Sequence, residues 1–286
     1  ILQQLRDGSQ GALDTHQLEM LINSHNSGID SSTHSTEREK LIPKRAILPY
    51  FLRVKQENSS LWQSWNVSPE LEERFIRSVR MKPRRTASGV ATITVITRPH
   101  TCSSNCIYCP CDLRMPKSYL ANEPACQRAE LTFFDPYVQV AARLQALHQM
   151  GHSTDKVELI VLGGTWSDYP ESYQYWFIKE LFRALNEWPN SPNHIQERLD
   201  WYTSFELQNT EEALSSFVAE QQAAVFDDTV TYNQAFHKLY DSSQPHQSAW
   251  SQMQSTYDEL VEQQRVNETA AARVVGLVIE TRPATI

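Results

Sequence analysis

Three cysteines, Cys102, Cys106 and Cys109, stand in the segment Cys-Ser-Ser-Asn-Cys-Ile-Tyr-Cys, a CxxxCxxC spacing that lets one loop fold three sulfurs around a small metal centre. Three protein thiolates leave one coordination position open. A 4Fe-4S cluster held this way keeps one iron without a protein ligand, and that iron can chelate the amino and carboxylate groups of S-adenosylmethionine. The competing chemistries are a closed tetrahedral zinc site, with His100 or Cys111 as fourth ligand, and a disulfide. Cys126 reads as a packed small hydrophobe.

The elements around this loop predict where it sits. Val90 to Thr97 is β-branched almost throughout and predicts a strand that runs into the cysteines. Asp135 and Pro136 predict a helix start, Val140, Leu144 and Leu147 share one face, and Gly151 predicts the stop. Val157 to Leu162 predicts a second buried strand, closed by Gly163-Gly164-Thr165. Pro170 then opens an amphipathic helix carrying Tyr173, Phe177, Leu181, Leu185 and Trp188. Residues 190–272, rich in Gln, Ser and Glu, read as a mostly helical insertion before a third strand, Val274 to Thr281, whose apolar edge is expected to lack a partner. Strands separated by helices predict an α/β fold with a parallel sheet, open or barrel-like. Its three strand ends carry cysteines, Gly-Gly-Thr and Glu280-Thr281-Arg282-Pro283, converging on one mouth. Upstream, a short helix is expected near His16 to Asn23, then a linker from Ser24 to Thr36. Further helices are expected over Glu37 to Lys55 and Ser68 to Arg80, with Trp62 and Trp65 as packing anchors between them.

Composition bounds the class. The chain has 286 residues, 40% hydrophobic and 10% aromatic, too apolar for a disordered protein and without a fibrous repeat, and long enough for one large or two ordinary domains. It has no run of 18 apolar residues and no signal-peptide pattern, so a cytoplasmic protein with no membrane partner is expected. The lack of an initiator Met, and an end at Pro283-Ala284-Thr285-Ile286 just after an apolar run, predict a piece of a longer protein. The net charge of -8 is segregated: -4 over residues 1–37, +8 over 38–100 and -12 over 101–286. A basic block inside an acidic chain is the pattern of a phosphate-binding surface, with a solvated basic helix as the alternative.

Longer stretches carry a resemblance. They are Lys82-Pro-Arg-Arg-Thr-Ala-Ser-Gly-Val90, Ser118-Tyr119, Glu123-Pro124-Ala125, Arg128-Ala129, Asp135-Pro136-Tyr137, Gly151-His152-Ser153 and Asp155-Lys156-Val157-Glu158. They continue with Gly163-Gly164-Thr165-Trp166, Val275-Gly276-Leu277 and Ile279-Glu280-Thr281-Arg282-Pro283. With the cysteine loop, this text resembles the Elongator catalytic-subunit family of radical S-adenosylmethionine enzymes, over about residues 38–189 and 260–283, in the form with a short cysteine loop found in bacteria. It departs at Cys111-Asp112, where that family has two glycines, and at Ala284, where it has an acid.

The resemblance implies a tRNA-modifying acyltransferase that uses acetyl-CoA and a 5′-deoxyadenosyl radical to build a carboxymethyl group on C5 of the wobble uridine. It implies a truncated (β/α) barrel of the radical S-adenosylmethionine type. Residues 1–80 would be a helical, basic RNA-binding region and 81–286 the N-terminal part of the radical core, with the acetyltransferase domain, and the acetyl-CoA site, absent from this chain. Cys102, Cys106 and Cys109 would hold the 4Fe-4S cluster. Gly163, Gly164 and Thr165 would approach the methionine part of S-adenosylmethionine, and Lys117, Glu280 and Arg282 would pair with its polar groups. Lys44, Arg45, Arg53, Lys55, Lys82, Arg84 and Arg85 would line a path for the tRNA anticodon stem. Partners would be tRNA, a second copy or Elongator-like subunits. The alternatives are a radical enzyme acting on another substrate and a non-catalytic RNA-binding scaffold with a structural metal.

Overall fold

A computed structural model describes residues 1–8, 11–27, 41–104 and 106–282, and the chain divides into two compact units. The first comprises Ile1–Gly89 with Ala146–Ser153. It holds α1 (Leu2–Asp7), α2 (Thr15–Asn26), α3 (Lys44–Glu57), α4 (Ser59–Ser64) and α5 (Pro69–Val79). α2 is longer than its apolar pattern predicts because Asp14 and Gln17 close a capping box, each side chain bonding the other residue's backbone N–H. α3 starts at Lys44, where Pro43 holds extended backbone at its N-cap, and the part of the expected helix over residues 37–40 lies outside the described residues. The expected linker falls largely on residues 28–40, outside the described ones. Ser68 caps α5 with Pro69 in its first turn, as the sequence predicts.

The core of this unit is Leu5, Leu18, Leu48, Phe51, Leu71, Phe75 and Val79. Phe51 stacks on Phe75 with ring centroids 4.1 Å apart, and the edge of Trp62 meets Phe51 at 5.1 Å. Trp62 and Trp65 are thus the packing anchors expected.

The second unit comprises Val90–Gln145 with Thr154–Ile286. Its three strands, β1 (Ala91–Ile96), β2 (Lys156–Leu162) and β3 (Arg273–Ile279), form one sheet in the order β1-β2-β3, parallel throughout. Their C-terminal ends therefore share one edge. Ala91, Ile93, Val95 and Ile96 are buried, whereas β3 exposes Val275, Leu277 and Val278, the unpaired apolar edge that the sequence predicts. Among the described residues eight helices accompany the sheet: α6 (Pro124–Leu131), α7 (Pro136–Gln149), α8 (Glu171–Asn186), α9 (Ile195–Ser204), α10 (Glu211–Phe226), α11 (Tyr232–Phe236), α12 (Gln244–Trp250) and α13 (Tyr257–Asn267). Asp135 caps α7 by accepting the Val138 N–H at 2.8 Å, and its other oxygen accepts from Arg198 and Tyr202, which ties α9 to that corner. Arg198 also reaches Glu180 of α8 at 2.8 Å. No helix among the described residues is long and apolar enough to cross a membrane.

Residues 190–272 do more than extend the chain. Val218, Val225, Tyr232, Ala235, Phe236 and Tyr240 form a second core around Leu113, and Trp250 packs against it. His246 lies within this aromatic group, stacked on Phe217 at 5.0 Å and hydrogen-bonded to Ser243 at 2.7 Å. Burial, and then the field of Arg98, lowers its pKa to about 4. A histidine whose folded pKa lies below its ordinary value of about 6.5 stabilises the fold fully at higher pH. That contribution is lost as pH falls from about 6.5 towards 4, because the unfolded chain takes up the proton first. Urea unfolding should show the second unit weaker at pH 5 than at pH 7, with about 2 kcal/mol of the difference traceable to His246 and removed in His246→Gln.

Candidate functional site

Beyond Ile96 the chain leaves the sheet through Thr97 and Arg98. Thr97 N–H still donates to Leu162 O at 3.0 Å, and its hydroxyl meets Tyr169 OH at 2.8 Å. Arg98 is buried with its guanidinium between two rings, 4.0 Å from Trp250 and 4.7 Å from Tyr173, and donates to Pro99 O at 3.0 Å. Among the described residues no carboxylate pairs with it, and burial lowers its pKa. His100 stacks on Tyr169 at 4.6 Å, bonds Asp168 O through Nε2 at 3.0 Å, and is held by burial at a pKa of about 4. Its Nδ1 is buried without a partner.

The loop then presents the three cysteines differently. Cys102 is buried, its Sγ 3.4 Å from Thr165 Oγ1 at the end of β2. Cys106 is exposed, and the Cys109 N–H donates to Cys106 O at 3.2 Å in a tight turn. Cys109 is half-buried, with Sγ 3.0 Å from Ser118 Oγ. Ser118 takes φ +89°, a left-handed conformation that non-glycine residues rarely adopt. Burial raises the Cys111 thiol pKa and pushes Cys126 up to about 12. All five cysteines are free thiols. Among the described residues no three His, Cys, Asp or Glu side chains are gathered closely enough to hold a metal ion. By donor chemistry the loop still fits an iron-sulfur centre. Its thiols are soft ligands, whereas Asp112 is bound to Arg114 at 2.9 Å and Asp168 accepts the Ser103 N–H at 2.7 Å.

The other two strand ends meet the same loop. Lys117 is buried rather than solvated, donating to Ser104 O at 2.9 Å with its Nζ 5.9 Å from the Tyr232 ring centre. A Cβ on Gly164 would lie 3.9 Å from the Lys117 backbone, so Gly164 and Lys117 are neighbours. Glu280 accepts from Tyr119 OH at 2.5 Å, and Thr281 meets Ser167 at 2.8 Å. Arg282 is half-buried, while Pro283 lies outside the described residues. The ends of β1, β2 and β3 thus converge as the sequence predicts.

The basic candidates all lie in the first unit. Lys55 pairs with Glu72 at 2.5 Å and sits 5.4 Å from the Trp62 ring, and Arg53 sits 5.7 Å from the Tyr50 ring. Lys44 and Arg45 open α3. Lys82, Arg84 and Arg85 are exposed in and beside the 3-10 turn Pro83–Thr86, with no carboxylate partner among the described residues.

Residues that sequence reasoning passed over hold the loop from the insertion. Asn233 of α11 accepts the Cys102 N–H at 3.1 Å and donates to Cys102 O at 2.8 Å. Gln222 of α10 accepts from Leu113 N at 2.8 Å and donates to Cys111 O at 2.8 Å. Tyr232 and Tyr240 donate to Met115 O and Leu113 O. The legible signal was the spacing of Tyr232, Phe236 and Tyr240, four apart, which marks one buried helical stripe.

No protein-family model matches the chain. The tRNA uridine(34) acetyltransferase of Methanocaldococcus infernus is 44% identical over 124 residues, 41% of this chain and 23% of that protein. The protein of the same name from Dehalococcoides mccartyi is 48% identical over 105 residues, 37% of this chain and 23% of its own length. Elongator complex protein 3 of Schizosaccharomyces pombe is 41% identical over 127 residues, 41% and 23% respectively. Over these stretches the chain is similar to proteins of those two names. The chain spans about a quarter of the length of these relatives. A solved structure, the archaeal Methanocaldococcus infernus Elp3 with an N-terminal deletion, aligns with a TM-score of 0.32 at 26% identity, covering 69% of this chain and 24% of that one.

Gly163 separates packing from ligand chemistry at the end of β2. A Cβ there would lie 2.0 Å from Thr97 Oγ1, so glycine is required for β1 and β2 to end side by side. Gly163→Ala should cost about 1–3 kcal/mol in chemical denaturation. Gly164→Ala, which meets only ordinary contacts, should stay within about 1 kcal/mol of the parent.

Proposed function

We propose that this chain is part of a radical S-adenosylmethionine enzyme of the Elongator catalytic type, which builds a carboxymethyl group on C5 of the tRNA wobble uridine with acetyl-CoA as co-substrate. One observation carries the reading. A CxxxCxxC loop lies at the shared C-terminal edge of parallel strands, in a chain homologous to proteins named tRNA uridine(34) acetyltransferase. The sheet would be the first part of a (β/α) barrel, whose chemistry collects at that edge.

Cys102, Cys106 and Cys109 would ligate a 4Fe-4S cluster, which when bound supplies one electron to the sulfonium of S-adenosylmethionine. The hydroxyls of Thr165 and Ser118, already at Cys102 and Cys109, would donate to the thiolates and lower their charge. Gly163, Gly164 and Thr165 would offer backbone to the methionine moiety. Lys117, Glu280 and Arg282 would serve its carboxylate, ammonium and ribose. Acetyl-CoA is assigned to no residue of this chain. Lys44, Arg45, Arg53, Lys55, Lys82, Arg84 and Arg85 would contact tRNA phosphates, and Lys55 would do so in competition with Glu72. Elongator-like subunits or a second copy would be its protein partners, and the cytoplasm its place of work.

One feature favours the alternative of a structural metal. His100 bonds a carbonyl through Nε2 and keeps Nδ1 buried without a partner, a pattern common to metal-ligating histidines. Metal analysis after anaerobic reconstitution decides between the two. The expected result is about four irons per chain, lost in Cys106→Ala. One zinc and no iron would assign a structural site. For the RNA surface, Arg84→Gln with Arg85→Gln should weaken tRNA binding and flatten its log–log salt slope by about 1.5, with iron content unchanged. An unmoved slope would remove these arginines from the RNA path.

A further inference from the structure

Cys102 begins a stretch of backbone with no neighbouring strand, yet its peptide groups are paired. The Asn233 carboxamide meets both, accepting the N–H at 3.1 Å and donating to the C=O at 2.8 Å. The Gln222 carboxamide repeats the arrangement at the far side of the cysteines, on Leu113 N and Cys111 O, both at 2.8 Å. A primary amide is the one side chain that copies a peptide group, with one acceptor and one aligned donor, and so replaces a strand partner residue for residue. Both amides are carried by helices anchored in the Leu113–Tyr232–Phe236–Tyr240 core. Asn233 stands one residue after buried Tyr232, and its helix is fixed at its start by a capping box between Thr231 and Gln234. The loop is thus gripped at both ends, while Cys106 between them is exposed.

We infer that Asn233, supported by Gln222, is a positioning residue. It fixes the Cys102 backbone so that this thiol stays buried against Thr165, and Cys102 is the preset first ligand of the cysteine loop whereas Cys106 and Cys109 are accessible to incoming metal. Residues 210–250 are therefore a clamp on the site rather than a spacer between strands. The metal-loading part rests on the reading given above, and the thiol-protection part does not.

Thiol reactivity in the metal-free full chain tests it. With iodoacetamide and peptide mass spectrometry, Cys102 of the parent should alkylate far more slowly than Cys106. Losing the two hydrogen bonds in Asn233→Leu should speed Cys102 by about tenfold or more relative to Cys106, since both bonds hold the loop closed. The near-isosteric Asn233→Asp, which keeps the acceptor and loses the donor, should give an intermediate rise even if Asn233→Leu fails to fold. Asn186→Leu serves as the control. Among the described residues its amide bonds Gln263 and Asn267, between α8 and α13, so it should lower the melting temperature without changing the Cys102 to Cys106 ratio. In the iron arm, Asn233 variants should load more slowly than Asn186→Leu at matched melting temperature. An unchanged ratio in both Asn233 variants, or an equal rise in Asn186→Leu, overturns the proposal. A preserved reactivity contrast with no iron uptake in any variant, the parent included, would uphold the clamp and defeat the cluster reading instead.

Discussion

The peptide groups that leave β1 have to be hydrogen-bonded away from both water and sheet, because a buried N–H or C=O without a partner costs about 1–3 kcal/mol. β2 covers one side of β1, and the other side is an edge. Gln139 of α7 closes that edge at Ile96, with both bonds at 2.9 Å. Asn233 takes over at Cys102, and Gln222 at Cys111 and Leu113. Three amides on three helices thus meet peptide groups at Ile96, at Cys102, and at Cys111 and Leu113. The helical segment 190–272 supplies two of the three, which accounts for its place in the chain.

Arg98 sets a second condition. A guanidinium buried without a carboxylate is expensive, and here it is compensated by the faces of Tyr173 and Trp250 and by the Pro99 carbonyl. Tyr173 comes from α8 and Trp250 from α12, so the cation joins the sheet layer to the insertion just before the loop starts. Asp135, shared by the α7 cap, Arg198 and Tyr202, does the same for α9.

The periodic parts of this arrangement were legible in the sequence. Two residues on Asp135-Pro136, the β-branched run before Thr97 and the Gly-Gly pair after Leu162 each state a local preference that the fold keeps, so strands, caps and converging strand ends followed from them. The grip on the loop was not legible, since Cys102 and Asn233 lie 131 positions apart and a polar residue among Gln, Ser and Glu carries no mark of its partner. The close approach of Gly163 to Thr97, far earlier in the chain, was not legible either. The burial of Lys117 on Ser104 O was likewise not legible. In each case the deciding neighbour was distant in sequence, where neither spacing nor periodicity reaches.

The order of the strands has a consequence for biosynthesis. β2 can pair with β1 once Leu162 has been made, but β3 arrives only after residues 163–272. At translation rates of about 5–20 residues per second, those roughly 110 residues keep the ribosome busy for about 5 to 20 seconds. Through that interval the β3-facing side of β2, with its run Lys-Val-Glu-Leu-Ile-Val-Leu, has no strand to pair with. Pairing of β1 with β2 during synthesis therefore leaves an apolar open edge, of the kind that chaperones bind, until β3 is made.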